Sequence, residues 1–454
     1  MQPTRARSAL IAAALLAMAT LLAMATASEA GIDALSTSRG FDVVHYEATI
    51  EPNITAKTVA GHVRIRIRLL AQRQETIEFD RGELTIDAVN DGASPLTFEQ
   101  IPRRLRIRLP ASRTRGKTHT IDIDYHGAPR FGLQFVPERS QVYTIFSTSQ
   151  WLVCIDAPDE RATLDLRIVL PAGLRVVGNG KPLAGQRRAD GDVIHRWRQD
   201  RPVSSYLFGF AAGKFAEATA RHRSVDVRYL GETLTSDDLG RAFHDTPDMM
   251  KLFEERAGVP YAAGRYTQTL VASTAGQEAD GFAMLSDAYG RTLLDTPTAV
   301  TLAAHEVAHQ WWGNLVTCRD WTHFWLNEGF ATFMAAAYNE HRFGRAAYDR
   351  DIETARMRYE QVRQTGGDKP LVFPSWDRPT ASDRTIVYQK GAYVLHQLRE
   401  TLGDGAFWKG IRDYTRRYAG QSVTTEDFKR AMEVSSGKDL RAFFAKWVYL
   451  SQSP

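Results

Sequence analysis

Cysteine is almost missing from this chain: Cys154 and Cys318 are the only two in 454 residues. So low a count excludes a disulfide-built scaffold, and two thiols so far apart in sequence read as separate buried residues. An excess of charge of either sign is also lacking. The 57 basic and 53 acidic residues leave a net charge of +4, which gives no footing for nucleic-acid binding. Arg-rich pieces such as Val63-Arg64-Ile65-Arg66-Ile67-Arg68 alternate with apolar residues and read as wet faces of β-strands. Internal repeats and low-complexity linkers are absent as well. A chain of this length with 43% hydrophobic residues is therefore expected to fold as two or three ordinary globular domains.

What is present begins at the N-terminus. Arg5 and Arg7 precede an unbroken small and apolar run from Ala9 to Ala27, followed by Ser28-Glu29-Ala30. A basic region, an apolar core and small-residue cleavage sites read as a secretory signal peptide over residues 1–30. The run also has the length of a membrane span, so an uncleaved anchor is the competing reading. Cleavage predicts a periplasmic or secreted protein with no stable membrane insertion. From about Phe41 to Phe215 the pattern has period two with turn residues between short runs, which predicts an all-β domain over 31–215, sheet on sheet. Past residue 216 the texture changes. Ser236 to Ala257 reads as a helix, Thr267 to Ser273 as a strand, and helical patterns dominate from Thr296 onward, including Ala347 to Arg363, Gly391 to Leu402, Asp404 to Tyr418 and Thr425 to Ser435. The fold class predicted is multidomain, β followed by α+β, with a mainly helical second domain over 216–454.

Two motifs in that second part carry chemistry. His305-Glu306-Val307-Ala308-His309, with Pro297 suited to the first turn of its helix, puts both imidazoles on one helical face. Glu306 projects about 100° away, close enough to serve a metal-bound water without being a ligand. A catalytic zinc takes three protein ligands and keeps one position open. Glu328, in Asn327-Glu328-Gly329-Phe330-Ala331, is the third candidate. Cys318, nine residues after His309, is the weaker rival because its spacing is less well defined. Such a zinc lowers the pKa of its water and polarises a carbonyl, and Glu306 would move the proton.

The chain resembles the aminopeptidase N family of zinc metallopeptidases, the gluzincins that include the bifunctional leukotriene hydrolase. The resemblance rests on His305 to Asn314, on Trp325 to Ala331, on Tyr388-Gln389-Lys390-Gly391-Ala392, and on weaker echoes at Cys154 to Pro158, Val177 to Gly180 and Ser204 to Leu207. It implies a β-sandwich or saddle-like N-terminal domain, a thermolysin-like catalytic domain, one Zn2+ per chain, a peptide or protein substrate, and Tyr388 as the transition-state-stabilising tyrosine.

The family's Gly-x-Met-Glu-Asn segment positions the peptide and binds its free α-ammonium. The matching stretch is read as Gly281-Phe282-Ala283-Met284-Leu285-Ser286. Gly281, Phe282, Ala283 and Met284 are then substrate-binding candidates, while Leu285 and Ser286 stand where the glutamate and asparagine belong. Glu278 or Asp280 would have to supply the amine anchor instead. Ala335 stands where relatives often carry a carboxylate behind the metal. The chain stops where the family's C-terminal helical domain usually begins, so a more open cleft is expected. Three alternatives stay in view: a peptidase for N-blocked, modified or internal bonds, a non-catalytic zinc-binding scaffold, and an epoxide hydrolase.

Overall fold

The structure is a computed structural model, and it describes residues 39–70, 74–92, 94–110, 116–274, 276–374, 376 and 379–451. The signal peptide expected over 1–30 lies outside these residues. Among the described residues no helix is long and apolar enough to cross a membrane.

The first part of the chain is built on a seven-stranded sheet. Its order runs Lys181–Arg187, Val193–Ser204, Arg161–Leu170, Phe41–Asn53, Thr58–Leu69, Thr118–Gly127, Thr85–Asn90. Alternation in Thr58–Leu69 explains its placement. Val63, Ile65, Ile67 and Leu69 are at most 1% exposed, while Arg64 and Arg68 point the other way and pair with Asp122 and Asp42. A three-stranded and a four-stranded sheet complete this part. Tyr46, Trp151, Phe208 and Phe210 fill its core. The last of these strands, Phe210–Gly213, is followed by Ala216–His222, which opens a separate five-stranded sheet.

That sheet is ordered Ala216–His222, Val225–Gly231, Arg265–Val271, Phe282–Ser286, Gln277–Ala279, and the remaining elements are mostly helices packed beside it. The single helix expected over Ser236 to Ala257 is two, Ser236–Ala242 and Thr246–Ala257. Pro247 is the reason. In a continuous helix it would lack the N–H that bonds the Phe243 carbonyl, whereas at the start of a new helix that N–H is not needed. The motif helix covers Thr301–Ala308, so Pro297 precedes it instead of forming its first turn. Tyr388 lies on a five-residue π-helix, Ile386–Lys390, that runs into the helix Gly391–Leu402.

The hairpin of Gln277–Ala279 and Phe282–Ser286 joins the two parts. Phe282 and Met284 enter the β-domain core, while Ala283 and Leu285, on the opposite face, enter the helical core. Asp280, at its tip, accepts hydrogen bonds from Gln199 (2.7 Å) and Arg201 (3.1 Å) of the β-domain. On the helical side, Gln310 donates to the Ala279 carbonyl and accepts from Gly281 N–H, both at 3.0 Å. Tyr206 of the β-domain donates to the Gly313 carbonyl and accepts from Asn327, again at 3.0 Å. The N-terminal β-domain, through the 3-10 turn Ser205–Leu207, thus holds both the turn after the motif helix and the residue before Glu328.

Candidate metal centre and active site

His305 and His309 are one turn apart, and their Nε2 atoms stand 3.0 Å from each other. Glu328, from the first turn of the helix Trp325–Phe343, brings Oε2 to 3.3 Å from His305 Nε2 and 3.4 Å from His309 Nε2. Ligand atoms bound tetrahedrally at zinc distances are about 3.3 Å apart, so the three donors already form one face of a zinc tetrahedron. Glu328 Oε2 is buried without a hydrogen-bond partner, as expected of an atom whose partner is a metal. Among the described residues the other cluster able to hold an ion is Glu278, Glu306 and His309, which overlaps the first. Cys318 belongs to neither; it is a free, buried thiol, as is Cys154.

The imidazoles are oriented from behind. His309 Nδ1 lies 3.0 Å from the Trp312 carbonyl, which fixes Nε2 as the metal-facing nitrogen. This requires glycine at 313, where a Cβ would come 2.8 Å from His309 Nδ1. His305 Nδ1 faces the Thr332 hydroxyl at 3.5 Å. Thr332, one helical turn beyond Glu328, therefore stands behind His305, while Ala335 offers no polar group.

Glu306 is 3% exposed. One carboxylate oxygen lies against Gly276, where a Cβ would sit 2.1 Å from Oε1, and the other is buried without a partner. Tyr388 stacks on His305, with ring centroids 5.9 Å apart and planes 8° from parallel. Burial, with help from Glu328 and Glu278, raises its phenol well above the ordinary range, so it remains a neutral donor.

The substrate side differs from the sequence reading. Phe282, Ala283 and Met284 lie on an inner strand whose two faces enter the two cores, and all are at most 1% exposed. Gly281 is in the hairpin turn. Leu285 is fully buried, and Ser286 caps the helix Asp287–Asp295. None of them lines the metal site. The residue that does is Glu278, on the edge strand Gln277–Ala279, with a carboxylate oxygen within 4.8 Å of donor atoms of Glu306 and His309. Asp280, the other substitute considered, is committed to Gln199 and Arg201. The similar letters Gly-x-x-Met drew the sequence reading seven residues too far along, to Leu285; the strand pairing places the hairpin's only cleft-facing carboxylate at 278.

Three buried carboxylates, Glu278, Glu306 and Glu328, thus converge on one point. Burial raises Glu306 well above the usual carboxylate range and takes Glu278 to about 7. Burial opposes ionisation of Glu328 too, but the charge on His309 and the closeness of both imidazoles hold it low. Burial lowers His309, and the surrounding carboxylates outweigh that, carrying it up to about 10. Three carboxylates buried this close together stay ionised only beside cations.

The donor set, an adjacent carboxylate base and a neutral phenol define a zinc metallopeptidase. Comparison with known proteins agrees. Residues 43–207 match the Peptidase M1 N-terminal domain and residues 241–447 the Peptidase family M1 domain, and the chain belongs to peptidase family M1. It is 27% identical to leucine aminopeptidase 2 of Aspergillus fumigatus, over 87% of this chain and 67% of that protein. It is 28% identical to aminopeptidase N of Caulobacter vibrioides, over 73% of this chain and 39% of that protein, so the chain spans between about a third and two thirds of its curated relatives. Its fold matches an M1 zinc metallopeptidase of Deinococcus radiodurans solved with a Tyr-Ser-Ala substrate. The TM-score is 0.79 at 22% identity, covering 92% of this chain and 96% of that one.

Proposed function

We propose that this protein is a zinc aminopeptidase whose amine anchor is Glu278. The observation that carries the reading is the charge count at the site. Zn2+ balances two of the three buried carboxylates, and the third, Glu278, requires one further positive charge. A peptide's free α-ammonium supplies it, whereas an acetylated terminus or an internal bond does not. The aminopeptidase relatives support the same reading.

When bound, zinc polarises the scissile carbonyl and acidifies the attacking water. Glu306, its outer oxygen otherwise unpartnered, accepts the water's proton and returns it to the leaving amine. Tyr388 donates from its neutral phenol to the developing oxyanion. Glu278 pairs with the α-ammonium and fixes which bond meets the water. Gln277–Ala279 is the edge strand of its sheet, with no further strand beside it among the described residues, so an extended peptide can add to it. Arg5, Arg7 and the run from Ala9 to Ala27 support export, with the enzyme acting in the periplasm or outside the cell.

Glu278→Gln, assayed on matched peptides with free and acetylated N-termini, tests the reading. Loss of a buried charge partner is expected to lower kcat/KM for free peptides roughly 10²-fold with little change for acetylated ones. Equal cleavage of both by the unaltered enzyme would favour the N-blocked or internal-bond alternative.

A further inference from the structure

We infer that Phe146 is the residue that selects the first side chain of the substrate, and that it favours aromatic and bulky aliphatic residues there. The inference rests on the aminopeptidase reading and adds the substrate class.

Among the described residues five that are not glycine have positive φ: Lys57, Arg103, Ser140, Phe146 and Arg223. Lys57, Arg103 and Arg223 sit in tight turns joining successive strands, and Ser140 closes a short 3-10 helix. Phe146, with φ of 55°, sits in no such hairpin. It lies between the strand Gln141–Thr144 and the 3-10 turn Thr148–Gln150. A bulky side chain in the left-handed region is strained, and glycine would relieve that strain. Phe146 is also 52% exposed, the one aromatic among the large hydrophobic residues left open to solvent. A side chain that costs backbone strain and is not buried in the protein's own core has its use outside that core.

Its location supplies the use. The Phe146 N–H donates to Gln277 Oε1 at 2.7 Å, and Gln277 Nε2 donates to Glu278 Oε2 at 3.1 Å. One buried amide therefore links the Phe146 main chain to the carboxylate that takes the α-ammonium. The first side chain of a peptide branches from the carbon that bears this ammonium, so it lies within a few ångströms of the same carboxylate. Phe146 carries an open apolar ring on a main chain two hydrogen bonds away from that carboxylate, and such a ring meets an apolar first side chain best.

The test uses the zinc-loaded enzyme with phenylalanyl, leucyl and alanyl anilides. Phe146→Gly removes the ring and relaxes the backbone, so loss of fold does not accompany loss of contact; zinc content and circular dichroism check this. Phe146→Tyr keeps the ring. The ratio of kcat/KM for phenylalanyl over alanyl substrate is expected to fall about tenfold in Phe146→Gly, in the range of a lost apolar subsite contact, and to be retained in Phe146→Tyr. A ratio that falls less than threefold overturns the proposal, as does an equal loss on all three substrates. Failure of the underlying aminopeptidase reading shows separately, as equal cleavage of acetylated peptides by the unaltered enzyme.

Discussion

Lys390 offers the most quantitative test of how the active site is held. Its side chain is wholly buried, and its ammonium donates to Asp368 Oδ1 at 2.8 Å and to the Lys369 carbonyl at 2.6 Å. It also lies 5.1 Å from the ring centre of Tyr359. Burial lowers its pKa and Asp368 opposes that shift. At an effective dielectric of 20, unit charges at this separation attract by about 6 kcal/mol, and desolvation of the two ions offsets most of it. The intact pair therefore contributes little, but breaking it takes the Lys390 ammonium away from the Asp368 carboxylate, which is 4% exposed and keeps the Tyr359 hydroxyl at 3.4 Å. Lys390→Met is expected to lower the free energy of unfolding by about 3–5 kcal/mol, measured by urea denaturation of the zinc-loaded protein. Adding Asp368→Asn removes the buried negative charge that Lys390 balanced and should recover at least half of the loss. Because Tyr388 shares the π-helix with Lys390, kcat should fall in the single variant more than KM rises. A single variant within 1 kcal/mol of the parent, or a double variant no more stable than the single, refutes the reasoning.

Tyr388→Phe removes a donor used only as charge develops, so kcat should drop roughly 10²-fold with KM nearly constant; a change confined to KM contradicts that role. Chelation should abolish peptide hydrolysis and lower the melting temperature, since a ligand bound only by the folded state stabilises it. Zinc restores both, and a melting temperature indifferent to chelator would exclude a metal at His305, His309 and Glu328. Glu160 is 3% exposed, and burial, opposed by Arg39, raises it from 4.5 to about 7. A raised carboxylate contributes stability below pH 4.5 that is lost as pH rises through 7, a span worth roughly 3 kcal/mol. Relative to its parent, Glu160→Gln should therefore gain stability between pH 4 and pH 8 in denaturation curves, and a parallel pH dependence would show the shift to be absent.

The metal donors were legible because the geometry of a helix converts a four-residue spacing into a shared face, and no other two histidines of the sequence are four residues apart. The β texture up to residue 213 was legible for the same kind of reason, as in Val63, Ile65 and Ile67. Which of Glu278 and Asp280 faces the metal site was not. That depends on which residue of a short hairpin occupies the sheet edge, and local letters at Gly281 to Met284 imitate the expected segment. Gln277 and Phe146 were missed altogether, being 131 residues apart. The break before Pro247 carried a visible signal, an internal proline, that the apolar pattern on either side obscured. Thr332 and Lys390 stood beside recognised residues, and only packing shows what each touches.

Gln199, Arg201 and Tyr206 have a meaning for the order in which the molecule is made. Tyr206 precedes its partner at Gly313 by 107 residues, so the β-domain is synthesised before the segments it grips. A chain that folds in that order presents a finished surface on which the Gln277–Ser286 hairpin and the turn after the motif helix can settle. A chain begun at residue 216 would have to form the same turn with the Asp280 carboxylate left to water and the Gly313 carbonyl held by Thr317 alone. Activity in such a truncated chain is thus expected to be limited by assembly, even with every donor to zinc still in place.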